Sequence, residues 1–207
     1  ARLLFAVMAG CTGVAMAASP AAWTLDARTA PAPEREGLLQ MGSAAAARSP
    51  VWGDLQATDR TLRLNGRALM PVMGEFHYSR YPREGWAEQL AKMKAAGVTV
   101  VSSYVIWQHH EEQAGRFDWQ GDRDLRHFVE LARQQGLWVF LRPGPWVHAE
   151  VRFGGLPDWV VDQMPTRRND PVYLRHVQRL FAEVAQQVRG LLWKDGGPVM
   201  GLQIENE

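Results

Sequence analysis

The sequence predicts an α/β fold on a parallel sheet, and three observations lead there. From Thr58 onward, strand-like apolar runs alternate with helical apolar stripes. Each strand-like run ends in carboxylates, or in aromatics that carry a hydrogen-bonding group. Phosphate-binding fingerprints are missing: no G-x-G-x-x-G follows the first strand and no G-x-x-x-x-G-K-[ST] occurs anywhere. Two architectures fit the alternation, a doubly wound open sheet and a (β/α)8 TIM barrel. A barrel needs about 250 residues, so 58–207 holds only about its first four β/α units. The barrel reading therefore expects a truncated sequence, as does the stop at Glu207 directly after an apolar run.

The elements follow in order. Residues 61–64 and 68–71 flank Asn65-Gly66, a hairpin turn signal. Residues 72–76 read as a short strand. Trp86, Leu90 and Met93 stand at helical spacing, and Gly97 closes that helix. The β-branched and aromatic run 98–107 reads as a strand buried on both faces. Asp122 is expected to cap the next helix, whose Leu125, Phe128, Val129 and Ala132 fit i, i+3, i+4, i+7, with Gly136 at its end. Residues 138–141 form the next strand, broken by Pro143. Asp170-Pro171 reads as an N-cap followed by proline at the first helical position. Tyr173, Val177, Leu180, Phe181, Val184, Val188 and Leu191 make a long stripe after it. Gly196-Gly197-Pro198 then turns the chain into a strand over 199–205.

Residues 1–18 read as a secretory signal: Arg2, a short apolar run over 3–9, and Ala15-Met16-Ala17 as a small-x-small cleavage site. Met8-Ala9-Gly10-Cys11 offers a second export route, a lipoprotein signal cleaved before Cys11. The product is expected to be periplasmic or extracellular, with no membrane association unless lipidated at Cys11. Cys11 is the only cysteine, so disulfides and thiol catalysis are excluded if the cut follows Ala17. Residues 19–57 are rich in Ala, Pro, Arg and Ser and read as a linker or N-terminal extension, with room for a short helix near 34–40. The catalytic domain is expected over 58–207.

Basic residues number 23 and acidic residues 22, a net charge of +1, which leaves no electrostatic footprint for nucleic acid. His109, His110, Glu111 and Glu112 look like a metal cluster, but consecutive strand residues alternate faces and no H-E-x-x-H is present. No metal and no cofactor is expected. Tyr78, Trp86 and Trp159 read as packing residues, and Arg80 and Arg142 as partners of pocket carboxylates. Carboxylates accept paired hydroxyl hydrogen bonds and flat rings cover apolar sugar faces, so the strand ends suit a neutral polyol.

The same residues carry a family resemblance. Gly74-Glu75-Phe76-His77-Tyr78-Ser79-Arg80, Lys92-Met93-Lys94-Ala95-Ala96-Gly97 and Ser103-Tyr104-Val105-Ile106-Trp107 resemble glycoside hydrolase family 35, the β-galactosidases. So do His110-Glu111, Leu141-Arg142-Pro143-Gly144-Pro145, Phe153-Gly154-Gly155-Leu156-Pro157-Asp158-Trp159 and Gln203-Ile204-Glu205-Asn206-Glu207. The resemblance implies a retaining (β/α)8 hydrolase that releases terminal non-reducing β-D-galactose from β-galactoside oligosaccharides or polysaccharides, with two catalytic glutamates. It implies Glu207 as the acid/base, with a raised pKa, and Asn206 on the sugar 2-hydroxyl. Tyr104, Ala149 and Glu150 are implied as further galactose contacts. The nucleophile is implied to come from a later strand, so the part presented is expected to be inactive alone. Gln108, Glu112, Trp146-Val147-His148 and Val151 depart from the family's common residues beside the pocket and bear on the preferred sugar and linkage. The rival readings are a glycosidase for another β-sugar, such as a glucosaminide, and a non-catalytic surface carbohydrate-binding protein.

In an ideal strand Asn206 and Glu207 point to opposite faces. Both reach one sugar only if the chain bends at the strand end. Glu205 shares the face of Glu207 and reads as a supporting hydrogen-bond partner.

Overall fold

A computed structural model describes residues 46–206 and the backbone of Leu38–Leu39. The signal and Cys11 readings, and the acid/base position Glu207, lie outside the described residues. Nine strands are described, in two sheets.

The first sheet is antiparallel. It holds β1 (Leu38–Leu39), β2 (Arg48–Ser49), β3 (Gly53–Thr58), β4 (Leu62–Leu64) and β5 (Arg67–Leu69). β4 and β5 join through Asn65 and Gly66, both at positive φ (52° and 77°), as a two-residue hairpin loop requires. Composition suggests a linker over 19–57, yet β2 and β3 fall there and pair with each other. The helix allowed near 34–40 is instead strand at Leu38–Leu39, paired to β3. Pairing to a distant partner decides both cases, and Ala/Pro-rich composition carries no trace of it. Trp52 ties this sheet down: it stacks on Trp193 (centroids 6.2 Å apart) and donates from Nε1 to the Gly197 carbonyl at 2.9 Å.

The second sheet is parallel, with strands β6 (Met73–Glu75), β7 (Val100–Tyr104), β8 (Trp138–Gly144) and β9 (Val199–Ile204) in sequential order. Helix α1 (Trp86–Ala95) follows β6, and the short α2 (Trp107–His110) and α3 (Leu125–Gln134) follow β7. The short α4 (Asp158–Gln163) and the long α5 (Pro171–Gln187) follow β8. Each strand lies beside its predecessor, with no reversal of order. A doubly wound sheet reverses at a switch point. The observed progression is that of the barrel architecture, over four of its strands.

The core sits between sheet and helices. Tyr78, Trp86 and Phe128 are fully buried and interlock, Tyr78 stacked on Phe128 (5.2 Å) and edge-on to Trp86 (5.8 Å). Leu125, Phe128, Val129 and Ala132 of α3 are all buried, as their spacing predicts. β7 is buried at every position, as expected for a strand covered on both faces.

Three local expectations change. The strand foreseen over 98–107 ends at Tyr104, and its last residue begins α2. The N-cap of α3 is Asp124, whose side chain accepts from the His127 N–H, while Asp122 accepts from the Arg83 N–H at 2.7 Å. β8 runs through Pro143, because the register against β9 shifts between Leu141 and Gly144 and the missing N–H falls in that irregularity. Asp170 caps α5 as foreseen, accepting from the N–H groups of Val172 and Tyr173, with Pro171 in the first turn.

Candidate active site

Parallel strands in this order bring their C-terminal ends to one face, where barrel sites are built. Glu75 and Tyr104 end β6 and β7, Arg142 stands two residues before the end of β8, and Asn206 lies just beyond β9. Arg142 links the other three. Its Nη1 donates to Glu75 Oε1, its Nη2 donates to Asn206 Oδ1 at 2.6 Å, and its guanidinium carbon lies 3.9 Å from the Tyr104 ring centre. Arg142 thus holds a carboxylate, as its position at a strand end suggests. Arg80 does not: its Nη1 donates to the Ala149 carbonyl at 2.9 Å.

β9 ends at Ile204, and Glu205 turns left-handed at φ 61°. This is the bend that strict alternation lacks. After it Asn206 is 92% removed from solvent (8% exposed) and its amide oxygen accepts from both Arg142 and Gln203 Nε2 (3.1 Å). Two donors on one oxygen settle which end of the amide is which. The Glu205 carboxylate turns to the other side, where Arg167 Nε donates to it at 3.2 Å and the Trp146 N–H approaches at 3.4 Å. Arg167 also donates from Nη2 to the Asn206 carbonyl at 3.0 Å and lies over the Trp146 ring at 4.0 Å. Glu205 is thereby a support of the bend.

The wall after β8 is unusual backbone. His148, Ala149 and Glu150 are consecutive residues at φ 61°, 50° and 52°. Left-handed residues other than glycine cost of order 1–3 kcal/mol each and persist only where the surroundings hold them. Here Arg80 holds the Ala149 carbonyl, and the Val147 N–H donates to the Gly154 carbonyl at 2.8 Å. Gly154 (φ 62°) lets this loop close on Trp146: a Cβ there would lie 1.9 Å from Trp146 Nε1. Ala149 is buried with Tyr104, Ile106 and Val147 in one apolar cluster, and the Glu150 side chain is exposed. Of the sequence-derived site residues, Tyr104, Ala149 and Asn206 are thus joined by direct packing or through Arg142. Glu150 leaves the same loop beside Ala149.

The His77 ring lies tilted against Tyr104 (4.8 Å), with Nε2 3.7 Å from Glu75 Oε2. Burial lowers its pKa, Glu75 works against that, and Arg80 and Arg142 add to it. The net effect disfavours the charged ring at this position. The His109 to Glu112 run holds no shared centre. It lies on and after α2 rather than on a strand, and each side chain has its own partner. His109 Nδ1 meets Ser79 Oγ at 2.9 Å, His110 meets Tyr78, and Glu112 pairs with Arg123 at 2.6 Å. Glu111 is fully buried beneath, accepting from Trp107 Nε1 (2.7 Å), the Gly115 N–H (2.6 Å) and Arg179 Nη2.

Gln203 and Trp146 stand among the strand-end residues the sequence points to, but their partners are not legible there. Arg167 is missed altogether: it lies in a loop between two helices and carries no local signal.

Glycosyl hydrolases family 35 matches residues 61–207. The β-galactosidase of Bos taurus is 40% identical over 162 residues, covering 73% of this chain and 25% of that protein. The β-galactosidase of Mus musculus is 39% identical over 166 residues, covering 75% and 26%. The Mus musculus β-galactosidase-1-like protein 3 is 40% identical over 146 residues, covering 70% and 22%. The chain therefore spans about a quarter of the length of the curated relatives it matches. Two solved structures share the fold. A β-galactosidase from the psychrophilic Marinomonas ef1 superposes with TM-score 0.52 at 20% identity, covering 67% of this chain and 22% of that one. The exo-β-1,4-mannosidase Op5Man5 from Opitutaceae bacterium strain TAV5 does so with TM-score 0.59 at 16% identity, covering 82% and 28%. The four strand ends tied by Arg142 and the match over 61–207 lead to one conclusion: the chain belongs to glycosyl hydrolases family 35.

Proposed function

We propose that the complete protein is a retaining glycoside hydrolase that releases terminal non-reducing β-D-galactose from β-galactosides. Family membership supports the reaction class, and 40% identity to a β-galactosidase supports the sugar. The observation that carries the reading is the bend at Glu205, which turns Asn206 onto Arg142, itself lying over Tyr104, directly before Glu207 in the chain.

In this reading Glu207 protonates the leaving glycosidic oxygen as its bond to the anomeric carbon breaks, and then takes a proton from the water that attacks that carbon and displaces the enzyme carboxylate. A carboxylate from a later strand attacks the anomeric carbon, roughly 5–5.5 Å from Glu207 as retention requires. The charge of that carboxylate keeps Glu207 protonated. Asn206 binds the 2-hydroxyl, and Tyr104, Ala149 and Glu150 hold the rest of the galactose. No cofactor enters the cycle.

Further β/α units close the sheet into an eight-unit barrel in this proposal. β9 exposes Leu202 (49%) and Ile204 (57%), and β6 exposes Met73 (50%), side chains that added units would cover. Export rests on the signal pattern of 1–18, and the mass of the mature N-terminus reads out whether the cut follows Ala17 or precedes Cys11.

The test is to assay the protein read from the complete gene on nitrophenyl β-galactoside, beside Glu207→Gln. Galactose release by the wild type and a loss of about 10²-fold or more in the variant are expected. Full activity in Glu207→Gln removes that residue from the mechanism. A wild type inert on galactoside but active on nitrophenyl β-glucosaminide moves the sugar assignment.

A further inference from the structure

Arg142 is placed unlike any other side chain among the described residues. It is 85% removed from solvent (15% exposed) and touches residues from the ends of the three other parallel strands. Its Nε is buried with no hydrogen-bond partner. The guanidinium is therefore located by its two outer nitrogens and by the Tyr104 ring beneath it, not by its stem. One outer nitrogen is held by Glu75. The other is delivered to Asn206 Oδ1, where Gln203 Nε2 also donates.

That double donation has a consequence for Asn206. With Oδ1 occupied twice, the amide presents its Nδ2 hydrogens, and no described residue accepts from them. Asn206 is thereby set as a donor. We propose that Arg142 is a positioning residue that fixes Asn206 as a hydrogen-bond donor to the sugar 2-hydroxyl, with Glu75 steering Arg142. This rests on the glycosidase reading above and deepens it. An arginine is needed because its planar fork sends separate nitrogens to acceptors on two strands while its flat face stacks on a ring; a lysine's three donors sit on one tetrahedral nitrogen with no flat face.

Asn206 acts only through the 2-hydroxyl in this account. So a fault in its orientation penalises a galactoside and spares the 2-deoxygalactoside, which lacks the partner. General damage to the fold penalises both alike. The experiment uses the protein from the complete gene and four forms: wild type, Arg142→Lys, Glu75→Gln and Asn206→Ala. Each is assayed for kcat/KM on nitrophenyl β-galactoside and on its 2-deoxy counterpart, with melting temperature recorded alongside. Glu75 is about half exposed at a strand end, so Glu75→Gln keeps the question answerable if Arg142→Lys folds poorly.

The expected result is a drop of about 10- to 100-fold on the galactoside in Arg142→Lys, the scale of a misplaced contact. The ratio of the two substrates collapses toward that of Asn206→Ala, and Glu75→Gln moves it part of the way. A wild-type enzyme active on galactoside, with the ratio unchanged in both Arg142→Lys and Glu75→Gln, overturns the inference and leaves the glycosidase reading standing. A wild type inert on both substrates overturns the glycosidase reading and the inference with it.

Discussion

The hydroxyl of Tyr78 and Nε2 of His110 lie 2.7 Å apart, in a site where both side chains are sealed from solvent. His110 Nδ1 is 3.0 Å from the Asp118 carbonyl, which can only accept. The ring hydrogen is therefore on Nδ1, Nε2 carries the lone pair, and the tyrosine donates. This bond joins the turn after β6 to the last residue of α2. Tyr78→Phe keeps the ring stack on Phe128 but leaves Nε2 without its donor. A loss of about 1–3 kcal/mol is expected in chemical denaturation. An unchanged midpoint would show that this bond contributes nothing.

The same pair makes stability depend on pH. Burial pushes the pKa of His110 from 6.5 down to about 4, against the opposing pull of the Asp118 carbonyl. The unfolded chain takes up a proton near pH 6.5 that the folded chain refuses until about pH 4. The contribution of the neutral ring is thus complete above about pH 6.5 and is lost as pH falls toward 4. It is of order 3 kcal/mol. Denaturation midpoints at pH 7, 5.5 and 4.5 should fall in that order, and His110→Gln should flatten the series. An equally steep fall in the variant assigns the effect to other groups.

Glu111 is a buried carboxylate whose two oxygens serve three donors, Trp107, Gly115 and Arg179. Glu111→Ala strands all three, and the expected loss is about 3–5 kcal/mol. Glu111→Gln keeps one acceptor oxygen and should lose less. Equal losses in the two variants, measured by urea unfolding, would mean that charge rather than shape matters here.

Gly154 meets the edge of Trp146 and sits at φ 62°. Gly154→Ala drives a methyl into the indole and strains the backbone, at a cost of about 1–3 kcal/mol from overpacking alone. Trp146 lies under Arg167, so its displacement should also loosen the Arg167 hold on Glu205 and Asn206. The melting temperature should drop together with the galactosidase activity proposed for the complete protein. A drop in stability with full activity would uncouple this loop from the bend at Glu205.

Much of the architecture is legible from local pattern. The stripe on α5, the Asp170-Pro171 start and the Asn65-Gly66 hairpin each follow from spacing or from one residue's stereochemistry, and each recurs in the structure. Where two acids compete, local pattern fails. Asp122, read from the sequence as the cap of α3, accepts instead from the Arg83 N–H, and Asp124 two residues on takes the cap. The strand pairing of 48–58 was hidden for the same reason: an Ala/Pro-rich stretch gains its order from a partner strand and from Trp52 docking on Trp193.

The site divides likewise. Tyr104, Ala149, Glu150, Asn206 and Glu207 are named by the family resemblance, and their roles belong to the proposal; that strand ends gather on one face follows from a parallel sheet. By itself the sequence determined the alternation, the strand-end chemistry and the family resemblance, all of which reside in neighbouring residues. Only the tertiary structure decided the sequential strand order that separates a barrel from a doubly wound sheet. It also decided the bend at Glu205 and the role of Arg142, whose partners Glu75 and Asn206 are 67 and 64 residues away. Contacts at that separation depend on how strands stack, which no local periodicity records.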